Sequence, residues 1–215
     1  MTEPHVGPRV GPVRHLIGKL WLKAFGWEAV GEVPNIPHAV FVAHPHTTGW
    51  DLPFTLAVAW SLKMNVSWVG KNTLFKGPLK YFFRALGGVP VDRSKRGNQV
   101  KAIAEAVKRE KACFLTIAPS GTRSKRDHWK SGFYYISREA NIPLLLAFMD
   151  YSKKRGGLGP VFMTTGDVRK DMDAIRKFYD GVRGKYPENE SEIRLREEEE
   201  AATADAPMPM ADAAE

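Results

Sequence analysis

His46 and Asp51 stand five positions apart in FVAHPHTTGWD, residues 41–51. A carboxylate that accepts a hydrogen bond from one imidazole nitrogen fixes the tautomer. It leaves the other nitrogen as a base and stabilises the imidazolium once a proton arrives. The apolar residues before His44 read as the end of a strand. Pro53 fits the first turn of a helix that begins near Asp51. The pair therefore belongs to a strand-to-helix loop, where α/β proteins keep their sites. Two plainer readings stand beside this one. His46 is then a loop histidine and Asp51 a helix cap, or His44, His46 and Asp51 ligate a metal. The other histidines, His5, His15, His38 and His128, supply no obvious further ligand.

Two basic turns also follow apolar runs. In GGVPVDRSKRG, residues 87–97, Arg93, Lys95 and Arg96 crowd one short loop after Asp92. Clustered cations there suit a phosphate, although a solvated basic loop has the same composition. In FLTIAPSGTRSKRDHWKSG, residues 114–132, a turn of small residues, Ser120, Gly121 and Thr122, leads into Arg123. Glycine lets backbone approach a ligand, threonine offers a hydroxyl, and a guanidinium grips phosphate with two parallel hydrogen bonds. Together the three loops describe a base beside a cationic pocket for a phosphorylated substrate.

The elements that must position these loops alternate along the chain. Short runs rich in Val, Ile, Leu and Phe predict strands at residues 39–43, 66–69, 89–91, 114–117, 144–148 and 161–164. Helices are predicted at residues 52–62, 79–86, 99–111, 132–140 and 171–183. The alternation predicts an α/β fold with a mixed, largely buried β-sheet flanked by helices. Before it, residues 13–27 repeat apolar side chains at helical spacing (Leu16, Ile17, Leu20, Trp21, Ala24) with Arg14, Lys19 and Lys23 off that stripe. That pattern is a basic amphipathic helix, suited to a membrane surface or to docking on its own core.

Residues 188–215 carry ten acids and two arginines, a net of −8, so the preceding 187 residues carry +16 within an overall +8. A body that basic favours an anionic partner. The acidic stretch is poor in large apolar residues and is expected to be disordered. The chain thus divides into an N-terminal segment, residues 1–32, a catalytic domain, residues 33–187, and an acidic tail, residues 188–215. One cysteine, Cys113, excludes an intrachain disulfide and fits a reducing compartment. The first twelve residues lack the apolar core of a secretory leader, and the longest apolar runs are too short to span a bilayer. Aromatic residues sit mostly in apolar runs rather than among the basic ones, which argues against nucleic acid.

The loops resemble, in order, the motifs of the glycerophospholipid acyltransferases, the lysophosphatidic acid acyltransferase superfamily. HTTGWD is similar to that family's His-x4-Asp block, GGVPVDR to its second block, APSGTRSK to its third and NIPLLLAF to its fourth. The resemblance covers roughly residues 33–186. It implies a glycerol-3-phosphate acyltransferase-like fold and acyl transfer to a lysophosphatidic-acid-like acceptor, with acyl-CoA or acyl-carrier protein as donor and neither a metal nor another cofactor. It implies His46 as general base and Asp51 as its partner, with Arg93, Ser120, Gly121, Thr122, Arg123 and Lys71 around the acceptor phosphate. Ser120 replaces the family's usual glutamate. That departure leaves open a non-glycerophosphate acceptor and a nucleophilic Ser120–His46–Asp51 triad. The expected setting is the cytoplasmic face of the cell membrane, held peripherally on anionic phospholipid. A catalytically silent lipid-binding module is the rival from another class.

Overall fold

The structure is a computed structural model that describes residues 6–91 and 99–199. Its strands are β1 (Glu28–Val30), β2 (His38–His44), β3 (Ser67–Lys71), β4 (Gly88–Val91), β5 (Cys113–Ile117), β6 (Leu144–Asp150) and β7 (Arg155–Phe162). They form one seven-stranded sheet in the order β1-β7-β6-β2-β5-β3-β4. Only the β6–β7 pair is antiparallel, because a short turn joins the two; the other pairs are parallel. The sheet is therefore mixed.

The helices are α1 (Pro12–Phe25), α2 (Asp51–Ser61), α3 (Leu79–Ala85), α4 (Gln99–Arg109), α5 (Gly132–Ala140) and α6 (Val168–Tyr179). Side chains alternate across β2, so each face of the sheet carries its own core. Val40 and Val42 join Phe133, Tyr134, Met172 and Ile175 beneath α4, α5 and α6. Ala39 and Phe41 join Leu56, Ala59 and Phe114 beneath α2. From β2 the chain crosses to β3 through α2, and from β5 it crosses to β6 through α5 on the opposite face. The loops that leave these two adjacent strands open at one end of the sheet, which sets the site there.

Helix α1 packs on α2 through Gly18 and Leu22, its two buried residues. A Cβ on Gly18 would come within 2.7 Å of the Ala57 carbonyl, so the two helices touch backbone to backbone. The stripe picked out by sequence lies largely elsewhere: Leu16, Ile17 and Leu20 are exposed.

Two predicted elements differ, and one strand, β1, has no predicted counterpart. Of residues 161–164 only Val161 and Phe162 are strand, the far end of the longer β7; Met163 and Thr164 lie past it. Its first half reads Gly156, Gly157, Leu158, Gly159 and Pro160, which hides the apolar signal. The glycine at 157 is required, since a Cβ there would run into the Val30 carbonyl of β1. The edge strand β1, three residues long, is too short to show a period. Helix α6 starts earlier than predicted because Asp167 caps it, accepting from the Lys170 amide at 3.1 Å.

The acidic tail does not begin at residue 188. Leu195 is fully buried in the α4–α5–α6 core, with Ile193 packed beside it. Arg176 of α6 donates to the Ile193 carbonyl at 2.9 Å and to Glu198 at 2.8 Å, and the Trp129 amide donates to the Arg194 carbonyl at 2.8 Å. One buried leucine within an acidic run, with Ile193 and these hydrogen bonds, carries the docking. Residues 200–215 lie outside the described residues. Leu195→Ala is expected to destabilise the fold by about 2–5 kcal/mol, and removal of residues 188–215 by more. Denaturant unfolding reads both; a truncated chain with the parent midpoint would return residues 188–199 to the tail.

Candidate active site

Three loops meet above the carboxyl ends of β2, β3 and β5. The loop from β2 to α2 carries His46, and α2 opens with Asp51, which is 4% exposed. His46 Nδ1 lies 3.0 Å from Asp51 Oδ2. The Thr47 and Thr48 amides donate to the same oxygen at 2.9 and 3.0 Å. These amides come from the turn before α2, where backbone N–H groups lack helical partners and a carboxylate at the first residue gathers them. Asp51 is therefore a helix-start carboxylate and a histidine partner at once. It does not cap the helix's own amides: the N-cap is Trp50, with no side-chain cap hydrogen bond.

Tyr151, directly after β6, donates its hydroxyl to Asp51 Oδ1 at 2.8 Å. Burial, followed by the Asp51 charge, pushes that phenol's pKa upward and keeps it a donor. With Nδ1 committed to the carboxylate, Nε2 is the remaining ring nitrogen of His46, a residue that lines the cleft. His46 is partly exposed, so a substrate can reach it.

His44 has a different fate. It ends β2 on the same face as Val40 and Val42, and its ring sits 5.0 Å from both Trp129 and Tyr179. Burial lowers its pKa to about 3, so it is neutral at physiological pH. The two imidazoles thus part company, and among the described residues no group of three or more His, Cys, Asp and Glu side chains gathers as a metal site.

An open cleft of about 470 Å³ brings together His46, Lys71, Gly121, Thr122 and Arg123. Gly121 turns at φ +64°, a conformation that disfavours any side chain. Arg123 leans across to the histidine loop: a Cβ on Gly49 would sit 2.9 Å from its Nη1. That approach sets a guanidinium against the loop that carries His46. Ser120 stands apart. Its hydroxyl is buried and donates to the Thr122 carbonyl at 2.8 Å, which braces the turn. Ser120 is not among the residues that line the cleft. Arg93 lies outside the described residues.

Sequence reasoning missed Tyr151, and also the loop of residues 184–186. The Tyr186 amide donates to Thr47 Oγ1 at 3.3 Å, and Lys185 lies 5.6 Å over the Trp50 ring. Neither has a fixed spacing from His46 that a motif could reveal. A second groove, of about 510 Å³, runs between α1, α2 and α3 and is lined by Ile17, Trp21, Pro53, Leu56, Trp60 and Phe82. It shares Gly49, Leu52 and Phe83 with the cleft.

A family model described as Acyltransferase matches residues 29–148. That span contains the histidine loop and both basic turns. Among solved structures, the crystal structure of the 1-acyl-sn-glycerophosphate (LPA) acyltransferase PlsC from Thermotoga maritima matches with a TM-score of 0.56. It is 16% identical and the match covers 80% of each chain, a likeness of fold. Comparison with curated proteins found no significant match.

Proposed function

The chain belongs to the acyltransferase family, and on that premise we propose that it moves a fatty acyl group from a thioester, acyl-CoA or acyl-carrier protein, to the hydroxyl of a lysophosphatidic-acid-like acceptor. The observation that carries this reading is the shared cleft, in which a carboxylate-paired histidine faces a guanidinium beside an apolar groove.

In the proposed mechanism His46 Nε2 takes the acceptor's hydroxyl proton as its oxygen attacks the thioester carbonyl. The new C–O bond forms, the C–S bond breaks, and the thiolate leaves. The imidazolium, stabilised by Asp51, then returns its proton to the thiolate. A thiolate is a good leaving group, so no separate strong acid is needed. Arg123 holds the acceptor phosphate, with Lys71 adding charge at the cleft rim. Lipid tails fit the adjoining groove between α1, α2 and α3.

The same reading sets the chain peripherally on the cytoplasmic face of the cell membrane, against anionic lipid. Its support is a surface where Leu16, Ile17 and Leu20 of α1 and Leu79, Tyr81 and Phe82 of α3 are exposed, with Lys19, Lys23, Lys80 and Arg84 in the same helices. Among the described residues no helix is long and apolar enough to cross a membrane. Replacing Leu16 and Leu20 together by serine is expected to weaken partition onto anionic vesicles by at least about tenfold. Each side chain is 56% exposed, so the melting midpoint should hold. Unchanged partition in a flotation assay would move the membrane contact elsewhere.

The function is tested by free-thiol release from acyl-CoA with and without lysophosphatidic acid. Release that requires both substrates supports transfer; lipid binding without release favours a silent module. Arg123→Ala is expected to raise the acceptor's KM by about ten- to a hundredfold, the scale of a lost charge-assisted hydrogen bond. A rise confined to the donor's KM would assign Arg123 to the thioester carrier.

A further inference from the structure

Asp51 is held by two different parts of the fold. Its Oδ2 serves the local turn, taking His46 Nδ1 and the amides of Thr47 and Thr48. Its Oδ1 accepts from Tyr151, one hundred positions further along the chain. The Tyr151 ring is fixed in turn by Trp27, edge-on at 4.9 Å, and by Phe54 at 6.0 Å. Its amide donates to the Arg183 carbonyl at 2.8 Å.

We propose that Tyr151 is a positioning residue for the His46–Asp51 pair: its hydroxyl locks the carboxylate in the rotation that keeps Oδ2 on His46 Nδ1. This rests on the general-base reading of His46. The local donors all converge on Oδ2, so rotation about the Cβ–Cγ bond is opposed at Oδ1 by the Tyr151 hydroxyl. The carboxylate is buried, so an unpartnered Oδ1 loses its hydration and gains nothing in return. The relief is rotation toward other donors or solvent, and rotation takes Oδ2 off the histidine. A hydroxyl in the stack of Trp27 and Phe54 removes that freedom. The upward push on its pKa keeps the proton on the phenol, and hence on the donor side of the bond.

Tyr151→Phe tests this, because it keeps the ring against Trp27 and Phe54 and removes only the oxygen. The expected kcat is lower by about tenfold, with both KM values held within about twofold. Near-UV circular dichroism should match the parent, which separates positioning from unfolding. An independent arm is ¹⁵N NMR of the His46 imidazole. The parent is expected to show one tautomer with the proton on Nδ1, and the variant a mixture of two. A parent-like tautomer in Tyr151→Phe, or a kcat within twofold of the parent, overturns the proposal. The NMR arm needs no turnover, so a parent chain that fails to transfer acyl groups would sink the general-base reading while the tautomer still decides the role of Tyr151.

Discussion

His46→Ala is expected to lower kcat by about 10²–10⁴-fold with the fold intact, the usual worth of a general base. Among the described residues no other imidazole lines the cleft. His44 is the nearest imidazole in sequence, but it lies between Trp129 and Tyr179 on the core face and is neutral. The Ser120 hydroxyl donates to the Thr122 carbonyl. His46 is partly exposed at the cleft, so truncation leaves no buried void of consequence. Steady-state rates on purified protein read the result. A variant that keeps more than about a tenth of the parent kcat removes His46 from the base's role.

Asp51→Asn is expected to cost on the order of 10³–10⁴-fold in kcat. The amide is close in shape, and its oxygen can still accept from the Thr47 and Thr48 amides. What it lacks is the charge that stabilises the imidazolium formed as the acceptor's proton moves. If the amide turns its NH₂ toward His46, the imidazole takes the wrong tautomer as well. Both failures fall on kcat rather than on acceptor binding, because Arg123 and Lys71 remain in the cleft. A loss confined to KM would place Asp51 in substrate binding instead.

Much of this site was legible because its signals are local. The apolar run before His44, the proline in the first turn of α2 and the His-x4-Asp spacing all act within a dozen residues. Strand alternation even separates the two histidines. His44 shares the parity of Val40 and Val42 and so enters the core, whereas His46 lies past the end of β2. Both strands leading into the basic turns, β4 and β5, were legible from their valines, leucines and phenylalanines.

What escaped depends on distant partners. Strand β7 is glycine-rich because distant groups crowd it, Val30 at Gly157, Met149 and Val58 at Gly156 and Phe178 at Gly159, a fact not written in the segment itself. Leu195 looks like a lone apolar residue in an acidic tail until α6 supplies Arg176 for its neighbours. Tyr151 reads as a residue at the end of an apolar strand, and only the sheet order brings it to Asp51. Ser120 sits in a motif position that suggests contact with substrate, yet its hydroxyl donates to a carbonyl two residues on.

The central claim is direct acyl transfer from a thioester to a lysophospholipid hydroxyl by the His46–Asp51 pair. Mass spectrometry of lipid products tests it most directly, with purified parent and His46→Ala chains each given acyl-CoA and lysophosphatidic acid. Phosphatidic acid is expected from the parent, one molecule for each thiol released, and close to none from the variant. Absence of the ester from the parent, or its formation at equal rates by both chains, would contradict it.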